Sequence, residues 1–176
     1  IKYAMQAAKL DGLILEFGVF NGKSIRRIAE FSSSDIYGFD SFEGIPEAWN
    51  DEPSGSYSAE GVLPNVPKNV TLVKGWFNDT IPIFLNQLKQ DPVIQLLHID
   101  CDLYSSTKTI FDLLGKYIQP GTVILFDEFI GYKSWQKDEF KAFMEAAKMY
   151  SWGYEILLFS FATKQVAVKI KSSSQK

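Results

Sequence analysis

Four acids stand just past two apolar runs in this chain, and their spacing defines the chemistry to be tested. Val93-Ile94-Gln95-Leu96-Leu97-His98-Ile99 delivers Asp100 and Asp102, and Thr122-Val123-Ile124-Leu125-Phe126 delivers Asp127 and Glu128. Short apolar runs bounded by turn residues read as buried strands. Acids grouped at the ends of such strands are costly to desolvate unless a cation or hydrogen-bond donors compensate them. An all-oxygen set suits Mg²⁺, Mn²⁺ or Ca²⁺ rather than zinc. The competing reading is helix caps and solvated loop charges.

A second stretch organises the chain around those acids. Leu13-Ile14-Leu15 reaches Glu16, then Phe17-Gly18-Val19-Phe20-Asn21-Gly22 makes a glycine turn, and from Ser24 onward Ile25 and Ile28 take helical spacing. Glycines at a strand–helix junction let the backbone approach a ligand, and the following helix offers free N–H groups. A charged, nucleotide-like cofactor is expected here, and the acid ending the strand points to a cationic or hydroxylated ligand. Gly18 to Ser24 resembles a P-loop one residue short, and a phosphate-wrapping loop needs its full length. A dinucleotide fingerprint would need glycine where Phe20 stands. An ordinary turn without ligand, a shortened P-loop of a nucleotide hydrolase or kinase, and the glycine turn of a methyltransferase that binds S-adenosylmethionine stay open.

These residues need a scaffold, and the rest of the sequence supplies it. Ile36-Tyr37-Gly38-Phe39 forms a second strand ending in Asp40 and Ser41, where an acid commonly accepts hydrogen bonds from ribose hydroxyls. Val70 to Lys74 is a third strand; it ends at Gly75-Trp76-Phe77, an aromatic pair that can flank an adenine ring, although core packing explains Phe77 equally well. Asn78, Asp79 or Thr80 should cap the next helix, with Pro82 in its first turn, and Ser105, Ser106 or Thr107 the one after. Trp135 to Met149 is amphipathic. Tyr154 to Leu158 and Gln165 to Ile170 read as a terminal antiparallel pair, with residues 171–176 as a frayed tail. Residues 41–69 show no period and are rich in proline and glycine, with Trp49 and Tyr57 among them. A long connection of this kind is expected to act as a lid and acceptor loop. Five strand–helix units and a closing hairpin make one α/β domain over 1–176.

Composition narrows the function classes. At 46% hydrophobic and 22% charged residues the chain is globular. No apolar run approaches bilayer length, so no membrane partner is expected. A net charge of −3 with scattered lysines and arginines gives no nucleic-acid footprint. One cysteine, Cys101, excludes an internal disulfide and suits a reducing compartment; with no secretory signal pattern, the expected location is cytoplasmic. His98, inside its apolar run, is read as a buried, hydrogen-bonded structural histidine. A homo-oligomer is compatible with all of this.

Four runs, Glu16 to Ser24, Gly38 to Pro46, His98 to Thr107 and Phe126 to Phe129, together resemble the macrocin O-methyltransferase family over nearly the whole chain. The resemblance implies a Rossmann-like class I methyltransferase fold, a mostly parallel seven-stranded sheet with a C-terminal antiparallel hairpin and helices on both faces. It further implies S-adenosylmethionine and a divalent cation as cofactors, and a sugar hydroxyl on a small-molecule or glycan acceptor. By position it places the methionine end of the cofactor against Glu16, Phe17, Gly18, Val19, Phe20, Asn21 and Gly22, with Ser24 beyond. The ribose falls on Asp40 beside Ser41, and the adenine near Gly75, Trp76, Phe77 and Cys101. Asp100, Asp127 and Glu128 become the metal ligands, Glu128 having a longer arm than the second Asp of many relatives. A carboxylate, Asp100 or Asp102, then serves as general base. A lysine soon after the strand-four acid, used by some metal-dependent catechol methyltransferases, has no counterpart at Leu103.

Overall fold

In the computed structural model, which describes residues 1–173, the chain runs α1 (Lys2–Ala7), β1 (Leu13–Phe17), α2 (Lys23–Ala29), β2 (Ile36–Asp40), β3 (Val70–Lys74), α3 (Phe77–Gln87), β4 (Ile94–Ile99), α4 (Tyr104–Leu114), β5 (Val123–Phe126), α5 (Glu139–Met149), β6 (Gly153–Phe159) and β7 (Val166–Ser172). The strands form one sheet in the order β3-β2-β1-β4-β5-β7-β6. The first five are parallel, and β7 pairs antiparallel with both β5 and β6. The Rossmann-like class I methyltransferase fold expected from the sequence is the fold observed. No helix among the described residues is long and apolar enough to cross a membrane.

Alternation along the central strands sorts the core onto two faces. Leu15, Phe17, Leu97, Ile99, Ile124 and Phe126 pack against α3, α4 and α5, while Ile14, Leu96, Val123 and Leu125 pack against α1 and α2. Both faces are covered, as a parallel sheet requires. The chain reverses strand order between β1 and β4, and the carboxyl ends of these strands open a crevice. Gly18 is fixed by that crevice: at φ +92 it lies so close to β4 that a Cβ would sit 1.7 Å from the Asp100 carbonyl oxygen. Only glycine fits there.

Several boundaries differ from the sequence reading. The unit after β2 lacks its helix, so helices follow four of the five parallel strands. Neither α3 nor α4 carries a side-chain N-cap: α3 begins after Trp76, with Pro82 beyond its first turn, and α4 begins after Leu103. The expected caps are engaged elsewhere. Thr80 donates to the Trp76 carbonyl at 2.9 Å, Ser105 to Glu47 at 2.5 Å, and Thr107 lies 3.4 Å from the Cys101 sulfur. The amphipathic run from Trp135 is broken at Asp138, where a 3₁₀ turn over Trp135–Lys137 gives way to α5. The Asp138 carboxylate accepts from Tyr132 at 3.1 Å and Ser134 at 3.0 Å, which holds the chain out of helical geometry there. Lys171 and Ser172, expected in a frayed tail, belong to β7; the rest of that expectation, residues 174–176, lies outside the described residues.

Candidate active site

A cavity of about 750 Å³ opens at the carboxyl ends of β1, β2, β4 and β5, within the range of roughly 300–1,000 Å³ for small-molecule sites. Gly18, Asp40, Trp76 and Phe77, which end or follow β1, β2 and β3, line it together with Asp100, Cys101, Asp102, Asp127, Glu128 and Gln165, which follow β4 and β5 or precede β7. Val19, Phe20, Asn21, Ser24 and Ser41 also reach its wall. The sequence-predicted donor and acid residues therefore meet in one crevice.

Four predicted cofactor residues do not line the cavity but shape it from behind. Glu16 is fully buried, and its Oε1 lies 3.1 Å from His98 Nδ1. Phe17 is a core residue stacked on Phe39 at 4.7 Å. Gly22 is the left-handed N-cap of α2, and Gly75, at φ +139, turns the chain out of β3. The Glu16 carboxylate thus faces a buried histidine on the neighbouring strand. His98 is 1% exposed, the buried hydrogen-bonded residue expected. Burial pulls its pKa down, but the Glu16 hydrogen bond and the charges of Glu16, Asp100 and Asp127 outweigh this and leave it raised.

Asp40 does more than its position suggested. One carboxylate oxygen accepts from the backbone N–H groups of Val19 and Phe20, both at 2.7 Å, and the other accepts from Phe42 N–H at 2.7 Å. The turn is closed by Gly22 N–H donating to the Val19 carbonyl at 2.8 Å. The amides that a P-loop would turn toward phosphate are committed here to a carboxylate. The P-loop reading falls on that geometry. Ser41 in turn donates to the Gly44 carbonyl at 3.3 Å and accepts from Glu43 N–H at 3.1 Å, fixing the start of the 41–69 connection.

At the acidic end, the register Ile99↔Phe126 continues into Asp100 and Asp127, whose N–H groups bond the carbonyls of Phe17 and Ile99 at 2.9 Å. Burial first, then the charge of Asp127, raises the Asp100 carboxyl well above the usual range. Asp102 stands at φ +61, and burial with the charges of Glu128 and Asp127 pushes it up to about 7. Gln165 donates to Asp127, and the Lys164 ammonium lies 3.1 Å from Glu128. Among the described residues, the acidic or histidine ligand atoms that converge within 4.8 Å are those of Glu16, His98 and Asp100. Asp100, Asp127 and Glu128 share the crevice but do not meet that closely, Glu128 being drawn to Lys164. The Cys101 thiol, raised well above its ordinary value by burial, is no nucleophile.

Sequence reasoning missed Glu139. It reads as the polar face of a helix, yet it is fully buried behind the acids, its carboxylate finds no side-chain hydrogen-bond partner among the described residues, and burial raises its pKa well above the ordinary value. Its place follows from the break at Asp138, which turns the first residue of α5 inward; the spacing alone carries no signal for this.

The sheet order and the crevice beside Gly18 define a class I methyltransferase. The chain belongs to the methyltransferase domain family, whose model matches residues 15–129. It is 24% identical over 159 residues to the 8-demethyl-8-(2,3-dimethoxy-alpha-L-rhamnosyl)-tetracenomycin-C 4'-O-methyltransferase of Streptomyces olivaceus, a match covering 73% of this chain. The chain spans 58% of the length of that relative. Among solved structures, the calicheamicin methyltransferase CalS11 superposes with a TM-score of 0.76 at 20% identity, covering 96% of this chain and 76% of that one. A second structure of CalS11 describes it as a TDP-rhamnose 3'-O-methyltransferase. The O-methyltransferase NovP superposes at 0.65 with 20% identity, covering 97% and 78%.

Proposed function

We propose that the chain is an S-adenosylmethionine-dependent O-methyltransferase acting on a hydroxyl of a sugar or glycosylated secondary metabolite, with a divalent cation as second cofactor. The observation that carries the reading is the single crevice joining the glycine turn to the acids of β4 and β5. The sulfonium donor would lie over Gly18 to Asn21, its ribose near Asp40, whose oxygens keep lone-pair capacity beyond the backbone bonds they accept. Its adenine would rest between Trp76, Phe77 and Cys101. The acceptor hydroxyl would enter from the Asp127 side.

The donor set there is all oxygen, the chemistry of a hard cation, and burial together with the neighbouring acids holds Asp100 and Asp102 toward their neutral forms. Asp100, Asp127 and Glu128 would hold it, Glu128 after leaving Lys164. Bound there, the ion would lower the pKa of the acceptor hydroxyl and orient its oxygen. The chain's own part is to align oxygen, methyl and sulfur and to take the proton. Asp102, which lines the crevice, suits the role of proton acceptor. The names of the rhamnose-directed relatives support a sugar acceptor.

Asp127→Ala tests this. Metal-stimulated methyl transfer to a glycoside acceptor should be lost while S-adenosylhomocysteine binding stays within about twofold; transfer that survives the substitution removes the cation from the account.

A further inference from the structure

Two aromatic side chains of the 41–69 connection, Trp49 and Tyr57, line the same cavity as the acids. Tyr57 is 45% exposed and lines the cavity. It holds φ +61, and Phe20, which it meets edge-on at 6.3 Å, holds φ +47. Bulky side chains rarely adopt the left-handed region, and strain of this kind collects at ligand-binding positions. An exposed ring gains little from burial, so core packing does not explain why the chain keeps it there. Tyr57 shares the cavity lining with Asp102 and Glu128.

Trp49 bounds the same space. Its backbone is clipped by reciprocal 2.8 Å hydrogen bonds with Glu52, and its ring meets Tyr132 at 5.6 Å in an edge arrangement. The indole nitrogen is buried without a partner. Asn50 Oδ1 lies 2.7 Å from the Ser134 hydroxyl, which ties this corner to the loop after Glu128. A pyranose has the complementary surface: C–H groups on its faces suit aromatic rings, and hydroxyls at its edge suit carboxylates and amides.

We propose that Trp49 and Tyr57 form the acceptor subsite, with the apolar face of a pyranoside ring on Tyr57, Trp49 closing the far side, and the ring hydroxyls directed to Asp102, Asp127 and Gln165. This rests on the reading of the chain as a sugar O-methyltransferase and names the part of the molecule that recognises the sugar.

The test compares wild type, Tyr57→Gly and Tyr57→Phe for melting temperature, S-adenosylhomocysteine affinity by calorimetry, and saturation transfer to methyl α-L-rhamnopyranoside and methyl β-D-glucopyranoside by NMR. Glycine suits φ +61, so Tyr57→Gly should melt no lower than wild type and bind S-adenosylhomocysteine within twofold. Its saturation transfer to the bound pyranoside should fall at least fivefold, and Tyr57→Phe should retain it. Unchanged transfer in Tyr57→Gly, a lowered melting temperature with lost cofactor binding, or a wild type that binds S-adenosylhomocysteine but neither pyranoside overturns the subsite. A wild type that binds no S-adenosylhomocysteine overturns the methyltransferase reading beneath it as well.

Discussion

His98 Nδ1 and Glu16 Oε1 lie 3.1 Å apart on neighbouring strands, in register with one another and sealed from solvent. Their other polar atoms, His98 Nε2 and Glu16 Oε2, have no hydrogen-bond partner among the described residues. Each residue is therefore tolerable chiefly because of the other. Glu16→Ala should cost about 3–5 kcal/mol in urea denaturation, the range for breaking a buried pair. The double change Glu16→Leu with His98→Leu should recover part of that loss. Because the His98 pKa is raised in the folded state, the pair's contribution is full below the ordinary histidine value and is lost as pH rises through the folded one. A single-variant cost below about 1 kcal/mol would contradict the coupling.

Asp40 should act on cofactor binding through the loop it holds as well as through any ribose contact. Asp40→Ala removes the acceptor for three backbone amides, bonds strengthened by the charge of the acceptor. We expect a loss of about 2–3 kcal/mol in stability and at least a tenfold drop in S-adenosylhomocysteine affinity. Faster amide exchange at Val19 and Phe20 is the specific signature, since a carboxylate that contacted ribose alone would leave those amides protected.

The acidic end makes a prediction with a sign. Asp102 titrates near 7, above the ordinary carboxylate value, because of burial and then the charges of Glu128 and Asp127. Asp100 and Glu139 are raised in the same direction. A raised carboxyl binds its proton in the folded state while the unfolded chain has released it, so stability falls as pH climbs from the ordinary value toward 7. The melting temperature without divalent cation should therefore drop between pH 5 and pH 8. Mg²⁺ should raise it more at pH 8 than at pH 5, and Asp102→Asn should flatten the slope. Scanning calorimetry at fixed ionic strength reads all three, and a slope of opposite sign would contradict the assignment.

Much of this architecture was legible because it rests on local signals. Strand β3 falls on the predicted residues Val70 to Lys74, since a β-branched run between breakers has one reading. The glycine turn declared itself in the same way. What escaped the sequence depends on contacts between distant segments. Asp40 binds amides twenty residues away, Glu16 turns to a histidine eighty-two residues on, and Glu139 is buried by a helix break that spacing does not encode. The acids could be placed on one edge from the sequence; that Lys164 and Gln165 hold two of them could not, because those residues arrive with the β6–β7 hairpin.

The central claim is that the crevice beside Gly18 is a methyl-donor site opening onto a separate acidic end. Calorimetric titration of S-adenosylhomocysteine into wild type and Asp127→Ala, with and without Mg²⁺, tests it most directly. The account predicts one-to-one binding to both proteins with affinities within about twofold, and no detectable binding to a well-folded wild type would contradict it.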